Sequence, residues 1–185
     1  MNKGIDVASG EWINFMNGGD TFYKLNTIEE IFIDKLYADV DFIYGDLEID
    51  YGEFKRIQMA RSLSAIWKGM AFSHQSCFIK SAFHKENKYS LDYKIASDFN
   101  LFYNAHQKNN NFAYANVIIS RVVIGGLSDT SHLKVNAEKY EIVKQSHFKI
   151  KYMIYYKFMH FYIMLKNTVK FLIGKNFTCI IKKLK

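Results

Sequence analysis

The chain has 185 residues, of which 49% are hydrophobic and 17% are aromatic, and it contains no proline. This composition excludes a disordered chain, and the length suits one packed domain with an appendage. The net charge of +7 is uneven: residues 1–138 carry 14 Lys and Arg against 17 Asp and Glu, whereas residues 139–185 carry 11 Lys against one Glu. The mildly acidic body disfavours nucleic-acid binding, and the basic character belongs to the C-terminal region.

Hydrophobic periodicity and turn residues predict alternating helices and strands over residues 1–130. The first elements expected are a helix over 2–9, a strand over 11–16, a helix over 27–36 opened by a Thr27–Glu30 capping box, and a hairpin of strands over 41–50 and 54–57. The next are a strand over 74–80, a helix over 91–107, a strand over 112–123 and a loop over 125–128. This order predicts an α/β body with a mixed sheet flanked by helices, followed by a helical basic region over 131–185.

The string NGGD at residues 17–20 closes the first predicted strand. Open α/β sheets bind ligands at the carboxyl ends of their strands, and Gly18 and Gly19 would let a phosphate approach the backbone. The carboxylate of Asp20 suits Mg²⁺ or Mn²⁺, which neutralises a diphosphate leaving group. The same residue types form ordinary turns, so a solvated turn aspartate is the alternative.

Asp98 lies in the string IASDF, within a predicted helix that is otherwise mostly apolar. Apolar surroundings disfavour the charged form of a carboxylate, and this property suits a general base. The alternative is an aspartate near a helix start that interacts favourably with the helix dipole. The residues alone leave both interpretations open.

Other polar residues give weaker signals. His74 and Gln75 begin the predicted strand over 74–80, where a lone histidine is more often structural than a ligand. Asp46, in the string YGD, is expected to be a strand-end turn residue, with a cleft-lining role as the alternative. The sequence contains neither a phosphate-binding P-loop motif nor a dinucleotide fingerprint, which disfavours both standard nucleotide-binding folds.

Five strings occur in a recognisable order: NKGIDVASGEWINFMNGGDTFY, FIYGD, HQSCFIK, YSLDYKIASDFNLF and GGLS. Together they resemble family 2 glycosyltransferases of the GT-A fold, most closely the bacterial branch that builds capsular, O-antigen and exopolysaccharide chains. The resemblance covers residues 1–130. It implies a GT-A-like sheet, a nucleotide-sugar donor, a saccharide or lipid-linked acceptor, and transfer with inversion.

The resemblance also implies roles for individual residues. NGGD occupies the place of the family's DxD-like motif but retains only its last carboxylate, so Asp20 is implied as the ligand of Mg²⁺ or Mn²⁺. Asp98 matches the catalytic base, which deprotonates an acceptor hydroxyl for direct displacement at the anomeric carbon. Donor- or diphosphate-binding positions are implied at Asn17, Gly18, Gly19, His74 and Gln75, and acceptor-side or cleft-loop positions at Asp46, Gly125, Gly126 and Ser128.

The N-terminus departs from the family pattern. Family members carry roughly ninety residues before the equivalent of Asn2, in keeping with a βαβαβ nucleotide-binding half. The chain is therefore expected to be an N-terminally truncated glycosyltransferase that lacks the first nucleotide-binding strands. The competing hypothesis is an inactive remnant that acts at most as a membrane-surface or partner-binding module.

Residues 148–185 interleave Lys with Tyr, Phe, Ile and Met. The longest run without Lys or an acidic residue, 158–165, is far shorter than the roughly 20 apolar residues that span a bilayer. The pattern predicts a basic amphipathic helical tail that lies on anionic lipid, with a helix packed on the body through one face and solvated on its basic face as the alternative. Together with a lipid-linked acceptor, this predicts a cytoplasmic enzyme that is peripheral on the inner face of the cell membrane.

Overall fold

A computed structural model describes residues 1–33, 37–126, 131–146 and 150–173. The helices are α1 (Asn2–Val7), α2 (Thr27–Phe32), α3 (Ser81–Glu86), α4 (Ser97–Gln107), α5 (His132–Ser146) and α6 (Ile150–Ile173). The strands are β1 (Trp12–Ile13), β2 (Thr21–Phe22), β3 (Phe42–Asp50), β4 (Lys55–Gln58), β5 (Cys77–Lys80) and β6 (Phe112–Val123). Two 3-10 helical turns, Leu63–Lys68 and His74–Ser76, complete the described elements.

The strands form one curled mixed sheet in the order β1-β5-β3-β6-β2, and β4 pairs with the end of β3. The central pair, β3 and β6, is parallel, and the other pairs are antiparallel. A mixed α/β sheet flanked by helices, as the sequence predicts, is therefore confirmed.

Alternation along β3 separates the two faces of the sheet because successive side chains of a strand point to opposite sides. Phe42 and Tyr44 join the larger hydrophobic cluster, which also receives side chains from α4, α5 and α6. Ile43 joins the smaller cluster with Phe78 and Ile119. The helices that follow β6 thus share one core with the body.

Gly45 allows the central pair to approach closely at a β-bulge. The register of β3 and β6 shifts between Tyr44 and Asp46. A methyl group on Gly45 would collide with the carbonyl oxygen of Val117 and would come within 2.8 Å of Ile119 Cγ1. Only glycine fits this position without displacement of the β6 backbone.

Several predicted elements differ from the observed ones. The strand expected over 74–80 begins at Cys77, because residues 74–76 form a 3-10 turn. The helix expected from residue 91 begins at Ser97. The capping box is wrong: Asn26 is the N-cap of α2, and Thr27 Oγ1 accepts a hydrogen bond of 2.9 Å from Lys24 N instead. The sequence did not predict β2, α3 or the turn over 63–68, which are all short.

The described residues of the C-terminal region form α5 and α6, which pack on each other and on the body. Ile142 and Val143 of α5 and Tyr152 and Tyr156 of α6 are buried in the larger cluster. Across the described ranges, no helix has the length and apolarity needed to cross a membrane.

Candidate functional site

The NGGD string forms a tight turn between β1 and β2. Asp20 N donates a hydrogen bond of 3.1 Å to the carbonyl oxygen of Asn17, and Gly19 has a φ of 91°, in the region that favours glycine. Gly18 and Gly19 are exposed, and an added methyl group would meet no atom within 4 Å at either position. The backbone of this turn is therefore open to a ligand.

The side chain of Asp20 is fixed from two directions. Its Oδ2 accepts a hydrogen bond of 2.9 Å from Gln75 Nε2, and its Oδ1 accepts one of 3.2 Å from the backbone N–H of Val123 at the end of β6. A solvated turn aspartate would not need such partners. The contacts connect the turn after β1 with the 74–76 turn and with the last residue of β6.

The 3-10 turn that carries His74 and Gln75 is anchored by Asn14. Asn14 Nδ2 lies 2.9 Å from the carbonyl oxygen of Gln75 and 2.8 Å from that of Cys77, and it donates to both. Ser73 Oγ also donates to Gln75 Oε1. Because both ends of the Gln75 amide are bound, its orientation toward Asp20 is defined.

His74 lies between Asp98 and Asn17. Its Nδ1 is 3.1 Å from Asp98 Oδ2, and its Nε2 is 3.4 Å from Asn17 Nδ2. A carboxylate accepts and an amide nitrogen donates, so in the neutral ring these partners favour the tautomer with the proton on Nδ1. The side chains of His74 and Asp98 are 18% and 24% exposed, so solvent reaches both.

The start of α4 holds Asp98 at this position. Asp98 Oδ1 accepts a hydrogen bond of 2.7 Å from the N–H of Phe99. Just before the helix, the carboxylate of Glu138 accepts from three successive backbone N–H groups, those of residues 94, 95 and 96, at 3.3, 3.0 and 2.8 Å. A side chain of α5 therefore fixes the backbone just before α4 and satisfies the N–H of the N-cap residue Ala96, which has no helical partner.

Cationic and aromatic groups surround Asp98. Burial lowers the pKa of Lys139, the charge of Asp98 raises it, and the charge of Arg61 lowers it further. Lys139 Nζ also lies 5.4 Å from the centre of the Phe99 ring. Burial raises the pKa of Tyr89, and the charge of Asp98 adds to that increase. The Asp98 carboxylate thus lies in a partly desolvated region with positive charge nearby.

The remaining predicted site residues lie elsewhere. Asp46 is not a strand-end residue: it lies within β3, is 4% exposed, and accepts hydrogen bonds from the N–H of Ala60 at 2.8 Å and from the hydroxyl of Tyr114 at 2.9 and 3.0 Å. Its carboxylate stabilises the interior instead of facing a cleft. Gly125 and Gly126 are exposed just after β6, and Ser128 lies outside the described residues.

The groups at the NGGD turn fit a metal ion that takes most of its ligands from the substrate and from water. Within the described ranges, His, Cys, Asp and Glu form no cluster of three or more that could bind a metal ion. Mg²⁺ commonly keeps several waters and uses one or two carboxylates together with substrate phosphates. Asp20 supplies one carboxylate beside an open glycine backbone, so the residues present fit this type of site.

Three residues of the site were not identified from the sequence. Asn14 sits inside an apolar strand-like run, which is a signal for a buried polar group with defined partners. Glu138 and Lys139 lie at the boundary where acidic body changes to basic tail. No sequence signal indicates that these two residues contact the start of α4, because the contact spans more than forty positions.

The fold and site define a mixed α/β protein with a polar cluster beside the ends of β1 and β6. Comparison with models of known protein families gave no match, and no curated protein matches the chain.

Proposed function

We propose that the chain is a glycosyltransferase domain that transfers a sugar from a nucleotide-sugar donor to a saccharide or lipid-linked acceptor, with inversion, in cell-surface polysaccharide synthesis. The observation that carries the proposal is one hydrogen-bonded series, Asp20–Gln75 and His74–Asp98, extended by Asn17. These residues come from separate strings of the sequence and match the motif order that suggested the family.

Asp98 is the general base in this mechanism. Its carboxylate removes the proton of the acceptor hydroxyl as that oxygen bonds to the anomeric carbon, and the bond from this carbon to the diphosphate oxygen breaks. The nucleoside diphosphate leaves with the bonding electrons. Asp20 and the open backbone at Gly18 and Gly19 bind the diphosphate, and a divalent metal supplies positive charge there when it is bound.

The hydrogen bond of 3.1 Å between His74 Nδ1 and Asp98 Oδ2 favours a variant of the same mechanism. In this variant His74 takes the proton at Nε2, and Asp98 orients the ring through Nδ1. His74→Gln separates the two versions because glutamine keeps hydrogen-bonding capacity but is not a base. Measurable transfer by His74→Gln supports Asp98 as the base, whereas loss equal to that of Asp98→Asn supports His74.

The test is a transfer assay on the purified chain with a panel of nucleotide sugars and acceptors. Asp98→Asn is expected to reduce turnover at least about a hundredfold and to leave donor binding unchanged. Asp92→Asn is the matched control, since Asp92 is an exposed residue that contacts Ser90 in the loop before α4. Normal turnover by Asp98→Asn would eliminate the base assignment.

Asp20→Ala tests the donor site separately. It is expected to remove the metal-dependent part of nucleotide-sugar binding, as measured by calorimetry with and without Mg²⁺ or Mn²⁺. Binding that keeps its metal dependence would exclude Asp20 as a ligand.

We also propose that α6 binds the surface of an anionic membrane. One face of α6 packs on the body, and the opposite face exposes an apolar stripe. Its members are between 53% and 65% exposed: Ile150, Ile154, Phe158, Phe161 and Leu165. Lys151 and Lys157 are exposed on either side of the stripe, and the described residues of α6 include no Asp or Glu. An apolar face bordered by lysines suits an interface with anionic lipid.

Vesicle sedimentation tests the membrane proposal. Phe158→Gln/Phe161→Gln is expected to weaken binding to anionic vesicles at least about tenfold, because each phenylalanine loses favourable burial. Leu25→Gln/Leu91→Gln removes two exposed apolar side chains elsewhere and serves as the control. Equal binding by the α6 variant and the control would refute the stripe as the contact surface.

A non-catalytic membrane-surface or partner-binding module is the second candidate function, and the exposed stripe of α6 is the observation that favours it. The two candidates differ in one result. Vesicle binding together with neither donor binding nor transfer for any nucleotide sugar would support the module and eliminate the enzyme.

A further inference from the structure

A cavity of about 260 Å³ lies between α5, α6 and the 3-10 turn over 63–68. Helix α5 contributes residues at positions 132, 135, 136 and 139, which share one face of a helix. The cavity walls are mainly aromatic and aliphatic, with Tyr155, Tyr156, Met159 and Ile163 from α6. No Asp or Glu is among the described residues that line it.

Three lysines line this cavity: Lys68, Lys139 and Lys166. None of them takes part in an ion pair with a carboxylate in the part of the chain that the structure describes. Burial lowers the pKa of Lys139, and the nearby charge of Asp98 offsets part of that change. An anion bound in the cavity would add a countercharge for Lys68 and Lys166 and would stabilise the charged form of Lys139 further.

Lys68 is held at the cavity by the aromatic residues of α6. The hydroxyl of Tyr155 donates to the carbonyl oxygen of Lys68 at 3.2 Å, and that of Tyr156 donates to the carbonyl oxygen of Trp67 at 2.8 Å. The end of the 3-10 turn is therefore fixed to α6. The lysines and the apolar walls thus belong to one arrangement of α5, α6 and the turn.

We propose that this cavity binds a phosphate ester carried on an apolar group, with the phosphate among Lys68, Lys139 and Lys166 and the apolar part against the aromatic and aliphatic wall. A compact dianion matches several ammonium groups that act as point charges with rotatable donors. Small-molecule sites are typically about 300–1,000 Å³, so this cavity accommodates a headgroup with a short apolar segment and not a nucleotide sugar. The proposal goes beyond glycosyl transfer and does not depend on it.

The experiment measures binding of octyl phosphate to the full chain by calorimetry, below the concentration at which it forms micelles. Inorganic phosphate and octanol are measured in parallel. Octyl phosphate is expected to bind, and Lys68→Gln and Lys166→Gln are each expected to weaken its binding about tenfold. Lys157→Gln is the matched control, because nine residues of helix place Lys157 about 180° around α6 from Lys166.

Each result decides a specific point. Inorganic phosphate that binds as tightly as octyl phosphate, with the same lysine dependence, would keep the lysine phosphate site but overturn the assignment of the apolar wall to the ligand. Binding to octyl phosphate that is no tighter than to octanol would overturn the proposal, and so would equal losses in Lys157→Gln and Lys166→Gln. Because no sugar donor is present, these outcomes are independent of whether Asp98 catalyses transfer.

Lys139→Met is expected to have the largest effect because Lys139 is the most enclosed of the three lysines. If this variant does not fold, Lys166→Gln still tests the site, since Lys166 is exposed on α6.

Discussion

Replacement of Glu138 by alanine is expected to destabilise the protein through the start of α4. Three backbone N–H groups would lose a charged acceptor at 2.8 to 3.3 Å, and two of them lie in partly buried surroundings. A hydrogen bond to a charged group contributes about 1.5–3 kcal/mol, and water replaces part of it here, so the expected loss is about 3 kcal/mol. For a protein of this size, that corresponds to a fall in Tm of about 6–12 °C.

Urea unfolding and thermal melts measure this loss, with Glu141→Ala as the control. Glu141 is exposed on the same helix, and its ion pair with Lys144 is 3.9 Å long, so its removal is expected to cost less than about 0.5 kcal/mol. Glu138→Gln retains an uncharged acceptor and is expected to lie between the two variants. A free energy of unfolding for Glu138→Ala within about 0.5 kcal/mol of the Glu141→Ala value would refute the reasoning.

Three further predictions concern other parts of the molecule. Gly45→Ala forces a methyl group against the carbonyl oxygen of Val117 and is expected to cost at least about 2 kcal/mol in urea unfolding, whereas Gly126→Ala adds a methyl group in open space and is expected to be neutral. His84 is fully buried, its Nε2 has no hydrogen-bond partner among the described residues, and burial lowers its pKa, so the unfolded chain binds the proton more readily. The stability that neutral His84 contributes is therefore fully present above its ordinary pKa of 6.5 and is lost as pH falls from there through the lower pKa of the folded protein. Urea unfolding at several pH values should show this fall in the free energy of unfolding. His84→Phe should make that fall smaller. Asn14→Ala removes two hydrogen bonds to the turn that carries His74 and is expected to cost about 1–2 kcal/mol and to shift the NMR signals of the His74 ring; unchanged signals would contradict its anchoring role.

The sequence predicted the central elements of the sheet well and its short elements poorly. The strand over 41–50 and the strand over 112–123 carry long apolar patterns, and the structure contains β3 and β6 at those places. In contrast, β2 has two residues and pairs with β6, across about one hundred positions. A segment this short has no periodicity of its own, because its conformation is determined by the strand beside it.

In the candidate site, too, some residues were placed correctly from the sequence and others were not. Asn17, Asp20, His74, Gln75 and Asp98 were all selected from the sequence, and the structure connects them by hydrogen bonds. Asp46 was misjudged because a carboxylate in a strand gives the same sequence pattern whether it faces solvent or accepts hydrogen bonds from a tyrosine of the neighbouring strand. The bulge at Gly45 and the position of Tyr114 decide where its carboxylate lies, and both depend on the pairing of β3 with β6, which is distant in sequence.

The division of the chain into a body over 1–130 and a helical region over 131–185 does not correspond to two independent cores. Ile142, Val143, Tyr152 and Tyr156 are each less than 9% exposed within the cluster that also contains side chains of β3 and α4. Fully burying one large apolar side chain contributes about 1.5–3 kcal/mol, so loss of these four would remove on the order of 6–12 kcal/mol. This range is comparable to the whole stability of a typical domain, about 5–15 kcal/mol.

Deletion of residues 131–185 is therefore expected to unfold the body and to remove Glu138 from the start of α4. Circular dichroism and urea unfolding would show loss of the cooperative transition. A chain that ends after Lys166 is the control: it keeps all four buried residues, and residues 164–169 of α6 are exposed, so it should unfold cooperatively. A cooperative transition in the chain that ends at residue 130 would mean that the body has a sufficient core of its own. In that case the position of Asp98 would depend on α4 and its neighbours in the body and not on α5.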